Sequence, residues 1–220
     1  MKKNIRIILF LAVALLAFVA CTSKEKKAET LIRDWAYKSL YDYDSYQVIE
    51  TKIDSAYFSP YTDSVIMKGA ILTTSVFREY SSNEKKAKEA INEIKAGGNG
   101  AILYRMYKED AEEALKEMQK YRLWGVQLMK IIKDDTANLP KGFQGWAVNQ
   151  TFRCKTKQGE STISQYLFIT DKKFKSILYQ EDIEDNEIKA AKKTLKDILE
   201  IPDLQIEEAF KKAQEDLDKQ

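Results

Sequence analysis

From Asp63 to Ala96 the chain has no proline, and Ile66, Ala70, Thr73, Phe77, Tyr80, Glu84, Ala87, Ile91 and Ile94 recur at alternating steps of four and three residues. That spacing keeps one face of a helix apolar. The sole charged member, Glu84, follows Ser81-Ser82-Asn83, where a break is expected. Gly97-Gly98-Asn99-Gly100 then supplies a turn, and Tyr107, Ala111, Ala114, Met118, Tyr121, Gly125, Leu128 and Ile132 repeat the stripe on the way back. Two long helices joined by so short a link must run antiparallel, so residues 63–135 read as a helical hairpin with a coiled-coil-like seam. At 1.5 Å per residue, continuous arms would reach roughly 50 Å.

Past Asn138-Leu139-Pro140-Lys141-Gly142 the period drops to two. Residues 143–181 predict three strands, Gln144 to Lys155, Ser161 to Thr170 and Phe174 to Gln180, and their short links make an antiparallel meander. Ile49 to Tyr57 alternates as a further strand, closed by Ser59-Pro60, while Tyr41 to Tyr46, rich in Asp and Tyr, reads as a turn. Helices are expected from Glu29 to Leu40, Ile188 to Leu199 and Leu204 to Leu217. The segment Ile163 to Ile169 is apolar on both faces and should lie centrally. The last two helices are its expected cover. The fold class is α+β: a long antiparallel helical hairpin plus a small antiparallel sheet of three to four strands with flanking helices, one domain over 29–220.

The first 20 residues form a different kind of segment: a basic start (Lys2, Lys3, Arg6), then an apolar run from Ile7 to Ala20. This is the layout of a secretory signal peptide, removed before folding. The run is short of the about 20 residues a bilayer-spanning helix needs. At its end, Phe18-Val19-Ala20-Cys21 resembles the lipobox of bacterial lipoproteins. The resemblance implies that Cys21 becomes the acylated mature N-terminus, carrying diacylglycerol and a fatty acid such as palmitate. Ordinary secretory cleavage after Ala20 would want a small residue at position 18, where Phe stands. Thr22 to Ala28 reads as the rest of a charged tether over 21–28.

Composition narrows the chemistry. The chain has 36 Lys+Arg, 34 Asp+Glu, no His and two Cys. Losing Lys2, Lys3 and Arg6 with the leader takes the formal net charge from +2 to −1. A nucleic-acid partner, which calls for a concentrated positive excess, is not indicated. The lack of His removes the commonest general base and metal ligand. No catalytic residue, metal ligand or cofactor is assigned; the acids Glu181, Asp182, Glu184, Asp185 and Glu187 lack the glycine turn of a calcium loop and suit a helix start. With Cys21 acylated, Cys154 has no disulfide partner, and its place in the alternation Trp146, Val148, Gln150, Phe152, Cys154 suits a buried thiol.

Two groups remain as sites. Trp35, Tyr37, Tyr41, Tyr43 and Tyr46 crowd the first third, and aromatic faces there could seat a sugar or peptide, although tyrosines also bridge a small core and water. Asp54-Ser55-Ala56, Asp63-Ser64-Val65 and Asp135-Thr136-Ala137 resemble the acceptor tripeptide of general O-glycosylation in Bacteroidota, which implies Ser55, Ser64 and Thr136 as attachment points. Asp and Ser also cap helices and form turns.

Asp44-Ser45-Tyr46 and the later Gly145-Trp146-x-Val148, Phe152-Arg153 pattern make the chain similar to small envelope lipoproteins of Bacteroidota. That resemblance implies a lipid-anchored protein without assigned activity, facing the periplasm from the outer membrane: Thr22 and Ser23 lack an inner-membrane retention Asp, and Lys24, Lys26 and Lys27 replace the acidic tract of surface export. The expected role is a non-catalytic interaction or binding module, its partners the membrane through its lipid and another envelope protein or a glycan. A small-ligand or glycan binder with a pocket between sheet and helices is the alternative, and an enzyme using paired carboxylates the lesser one.

Overall fold

The computed structural model describes residues 24–96 and 100–218. The expected signal peptide, the expected lipidation site Cys21 and the Gly97, Gly98 and Asn99 positions of the expected turn lie outside the described residues. Among the described residues there are five α-helices and one four-stranded antiparallel sheet, as the α+β class requires. Within the chain two compact units are distinguished, residues 24–57 with 143–182 and the described residues of 58–142 with 183–218. The physical reason is that each unit closes a core of its own.

The first unit holds α1 (Lys24–Ser39), β1 (Asp42–Tyr57), β2 (Phe143–Lys155), β3 (Ser161–Asp171) and β4 (Ile177–Asp182) in the spatial order β1-β2-β3-β4. Val148 stands opposite Ile53 and Phe168, Gln150 opposite Thr51 and Tyr166, and Phe152 opposite Val48 and Ser164. These residues share one face, and α1 lies on it. Ala28, Ile32 and Ala36, spaced by four, are fully buried there with Val148, Phe152 and Phe168. The alanines let the helix approach closely while Trp35 fills the remaining space, its ring centroid 4.8 Å from Phe168 and 5.1 Å from Tyr166. The sheet cover is thus α1, and the expectation that the last two helices supply it is corrected; those helices belong to the other unit.

Three boundaries also move. The expected tether is helical from Lys24, with Ala28 in the core, because its Lys and Glu residues are good helix formers and Ala28 continues the buried stripe. Tyr41 to Tyr46 is no turn: β1 begins at Asp42, and the register slips between Asp42 and Gln47. Asp42 Oδ1 accepts from the Ser45 amide at 3.2 Å, and Ser45 Oγ donates to the Asp42 carbonyl and accepts from the Lys155 amide, each at 2.8 Å. The polar residues that suggest a turn build a bulge within a strand. Finally, Phe174 takes a left-handed conformation (φ 57°) in the β3–β4 link, which moves the start of β4 to Ile177. Its ring stacks on Trp146 at 5.9 Å, whose indole N–H donates to the Lys172 carbonyl.

The second unit contains a short 3-10 turn (Pro60–Thr62), α2 (Ser64–Lys95), α3 (Ala101–Ala137), α4 (Asn186–Glu200) and α5 (Asp203–Asp218). The Asp63 carboxylate starts α2 by accepting from the Val65 and Ile66 amides at 2.9 and 3.0 Å, and Asp185 starts α4 in the same way. The two long helices form the expected antiparallel hairpin. At its base α4 packs on α2, where the Thr74 and Thr194 hydroxyls meet at 2.9 Å, and α5 packs on α3, where Lys133 pairs with Asp203 and Arg122 with Asp216. Ile66, Met67, Ala70, Val126, Met129, Ile132, Leu195, Ile198 and Ile206 make this four-helix core.

Farther out the seam narrows to Asn83, Ala87, Ala90, Ala111 and Ala114. The expected break at Ser81 to Asn83 does not occur: α2 runs unbroken, and the Asn83 side-chain Nδ2 donates to the Glu79 carbonyl at 2.9 Å. Asn83 and Ala90 are buried in place of Glu84 and Ile91.

Within the first unit, Tyr46 is buried and its hydroxyl donates to Gln150 Oε1 at 2.6 Å, while Gln150 Nε2 donates to Thr51 Oγ1 at 3.2 Å. Gln150 is fully buried between Val148 and Phe152, and this relay gives both ends of its side-chain amide a partner. Burial pushes the Tyr46 hydroxyl up to about 12, and burial with the Glu181 carboxylate raises Tyr179 further. Both tyrosines stay protonated in the folded chain above the ordinary tyrosine value of about 10. Stability is therefore insensitive to these groups below pH about 10 and declines as pH rises from there through about 12. Tyr46→Phe strands the Gln150 oxygen and is expected to lower unfolding free energy by about 1–2 kcal/mol at neutral pH. Urea titrations should also show a shallower alkaline decline for the variant than for the parent.

Gly145 answers to a different constraint. A Cβ added there would lie 1.9 Å from the Thr170 carbonyl oxygen on β3. Gly145→Ala must push two paired strands apart, with an expected loss of about 1–3 kcal/mol read from the same titrations.

Candidate functional site

The aromatic group proposed from the sequence divides by burial. Trp35 and Tyr46 pack in the core of the first unit, so neither presents its ring to a ligand. Tyr43 stacks on Tyr46 at 5.9 Å, and the exposed Tyr37 meets Tyr43 edge-on at 5.4 Å. Tyr41 is exposed. What reaches solvent is a pair of rings continuing the core outward, with Tyr41 beside it in sequence.

Cys154 is a free thiol at the edge of the cluster around Ala36 and Phe152. Burial raises its pKa, with the Asp42 carboxylate adding to the effect, so the reactive thiolate is disfavoured.

The acidic run at the end of β4 and beyond it is put to separate uses. Glu181 is buried and accepts from the Tyr179 hydroxyl at 2.7 Å, Glu184 pairs with Lys189 at 2.6 Å, and Asp185 caps α4.

One concavity of the second unit is not singled out by the sequence. Along the outer hairpin, α2 and α3 enclose an open trough of about 580 Å³. Its floor is set by the small seam residues Ala90 and Ala114 with Asn83, which bring the backbones together. The longer side chains on either side form walls. Tyr107 and Tyr121 are the aromatic members, and Glu79, Glu89, Glu93, Asp110, Glu113 and Glu117 contribute six carboxylates against the single ammonium of Lys86.

Two of those acids have partners on their own helix, Glu117 with Lys120 at 3.1 Å in a half-buried pair and Glu89 with Lys85 at 3.8 Å in an exposed pair that holds little energy. The trough can accept hydrogen bonds from an ammonium or guanidinium group and lay an apolar stem against tyrosine. Its signal in the sequence is a string of acids flanking the alanine stripe, which also reads as an ordinary solvated helix face.

The three glycosylation-like positions differ in access. Ser55 lies exposed on the edge strand β1, and Ser64 is exposed in the first turn of α2. Thr136 is in the last turn of α3 with its hydroxyl oxygen buried and unpartnered.

No protein-family model, curated protein or solved structure matches the chain.

Glycan transfer needs an exposed hydroxyl. Peptide mapping of protein from its native envelope is expected to place any sugar on Ser55 or Ser64 and to return the Thr136 peptide at its bare mass.

Proposed function

We propose that the protein is a lipid-anchored envelope module that binds rather than catalyses, tied to the membrane by acylated Cys21. The observation that carries this reading is in the sequence: a basic start, an apolar run from Ile7 to Ala20 and the lipobox-like Phe18-Val19-Ala20-Cys21. Ala28, seven residues beyond Cys21, is already a core residue with Ile32. At 3.8 Å between successive Cα atoms, the chain between them spans at most about 27 Å, so an acylated Cys21 would hold the packed body close to the bilayer.

Two or more acyl chains hold a protein to a bilayer stably, whereas a single chain binds marginally. A body so attached works at the membrane surface. The resemblance to envelope lipoproteins favours the outer membrane, facing the periplasm. The acid-lined trough of the hairpin supports the binding role, and its open, elongated form suits an extended cationic segment of a partner better than an enclosed small molecule. The chain's lack of His agrees with a role other than acid–base chemistry at neutral pH.

Intact-mass analysis of the detergent-extracted protein is the direct test. The expected product starts at Cys21 and carries the added mass of diacylglycerol and an amide-linked fatty acid. Cys21→Ala should retain the leader and lose that mass. Protein that extracts into plain buffer with an unmodified N-terminus would overturn the reading.

A further inference from the structure

Exposed apolar side chains elsewhere on the hairpin are scattered, as at Leu72, Phe77 and Leu115, and single exposed residues of this kind are ordinary on any surface. The start of α3 differs. Ile102, Leu103, Tyr104 and Met106 are all exposed, Ile102 at 72% and Met106 at 52%. With successive residues turned by about 100°, these positions spread over more than half of the helix circumference. A partner helix or groove takes a single stripe about 100° wide and would leave part of this set in water. An apolar medium that surrounds the helix end covers all of it.

The charge pattern points the same way. From Ile94 to Lys108 the sequence has three cations, Lys95, Arg105 and Lys108, and no acid, although the chain as a whole carries nearly equal numbers of each. Arg105 and Lys108 meet Glu109 and Glu112 only at 3.6 and 3.7 Å in exposed pairs, leaving their charges available to a stronger partner. The first turn of α3 has neither an acidic residue nor a side-chain cap, whereas among the described residues acids stand at the start of the other four helices: Glu25, Asp63, Glu187 and Asp203. Basic and aromatic groups around an apolar end match the interface of an anionic bilayer, where the rings lie at head-group level and Arg and Lys reach phosphates.

We propose that the first two turns of α3 form a lipid-inserting tip, with Ile102, Leu103, Tyr104 and Met106 entering the interfacial layer of an anionic bilayer and Arg105 and Lys108 engaging its phosphates. This contact is separate from the anchor at Cys21 and does not rest on it. To test it, the full chain carrying a photoreactive benzophenone side chain at Leu103 is reconstituted from detergent into vesicles of phosphatidylcholine with phosphatidylglycerol, and into phosphatidylcholine alone. A second preparation carries the probe at Lys85, an exposed position farther along the hairpin. Circular dichroism confirms that each preparation remains helical.

Irradiation is expected to give a lipid adduct at position 103 in the anionic vesicles, a weaker one in phosphatidylcholine alone, and none at position 85. Arg105→Gln with Lys108→Gln should cut the adduct at least about fivefold, the order expected from losing even one cation at a membrane surface. A vesicle-bound chain without adduct at 103 overturns the tip and leaves the Cys21 anchor standing. Equal labelling at both positions, equal labelling in both lipids, or cross-linking of 103 to a second copy of the chain also overturns it.

Discussion

The rung that pairs Tyr57 with Phe143 organises the chain. β1 and β2 are antiparallel neighbours, and a tight turn would ordinarily join them. Here everything from Phe58 to Gly142 stands in place of that turn. The Phe58 amide donates to the Gly142 carbonyl at 3.2 Å, so the excursion begins and ends at hydrogen-bond distance. Gly142 has φ 100°, a conformation glycine adopts without the steric cost a Cβ would bring. An excursion whose ends must meet can be made of straight helices only if they come as an outgoing and a returning arm of similar length. α2 has 32 residues and α3 has 37.

The two units close their cores by different means. In the first, α1 is the cover of one sheet face, and its alanines at 28 and 36 allow the aromatic residues of β2 and β3 to pack beneath it. In the second, large aliphatic residues fill the four-helix base, while the outer hairpin depends on Ala87, Ala90, Ala111 and Ala114. Alanine buries little area, so this stretch gains less from hydrophobic transfer than the base does. It draws more on helix propensity and on i,i+4 pairs such as Lys88–Glu84. The same small residues that make the arms meet also leave the trough between their longer neighbours.

How much of this could be read beforehand depended on whether the signal was local. The hairpin was legible because a period near 3.6 sustained over more than thirty residues, with glycines between two such runs, has few competing explanations. Strands β2 and β3 were legible from their alternation. The cover of the sheet was not, since an amphipathic helix declares that it has an apolar face and not which partner takes it. Ile188 and Leu195 look as suited to a sheet as Ile32. Asp42 and Ser45 misled in another way: their side chains bond to backbone both in turns and in bulges, and only the cross-strand bond from the Lys155 amide to Ser45 decides between them.

The candidate surfaces follow the same division. Among the five aromatic positions, residue type alone could not separate Trp35 and Tyr46, which pack between α1 and the sheet, from Tyr37, which faces water. Tyr43 lies between them and joins the two sets by stacking. The trough went unread because its carboxylates come from two helices far apart in sequence, brought onto one cleft by the antiparallel pairing. The apolar start of α3 was locally visible, yet its meaning depends on exposure. Had α5 extended past Arg122 toward the loop, Leu103 and Met106 would read as the core positions of another layer. Instead the described contacts of α5 run from Lys133 to Arg122, and from Arg122 back to Ala101 the helix has about 30 Å still to run. The length by which α3 outreaches those contacts gives the apolar residues at its start a different role from those at its base.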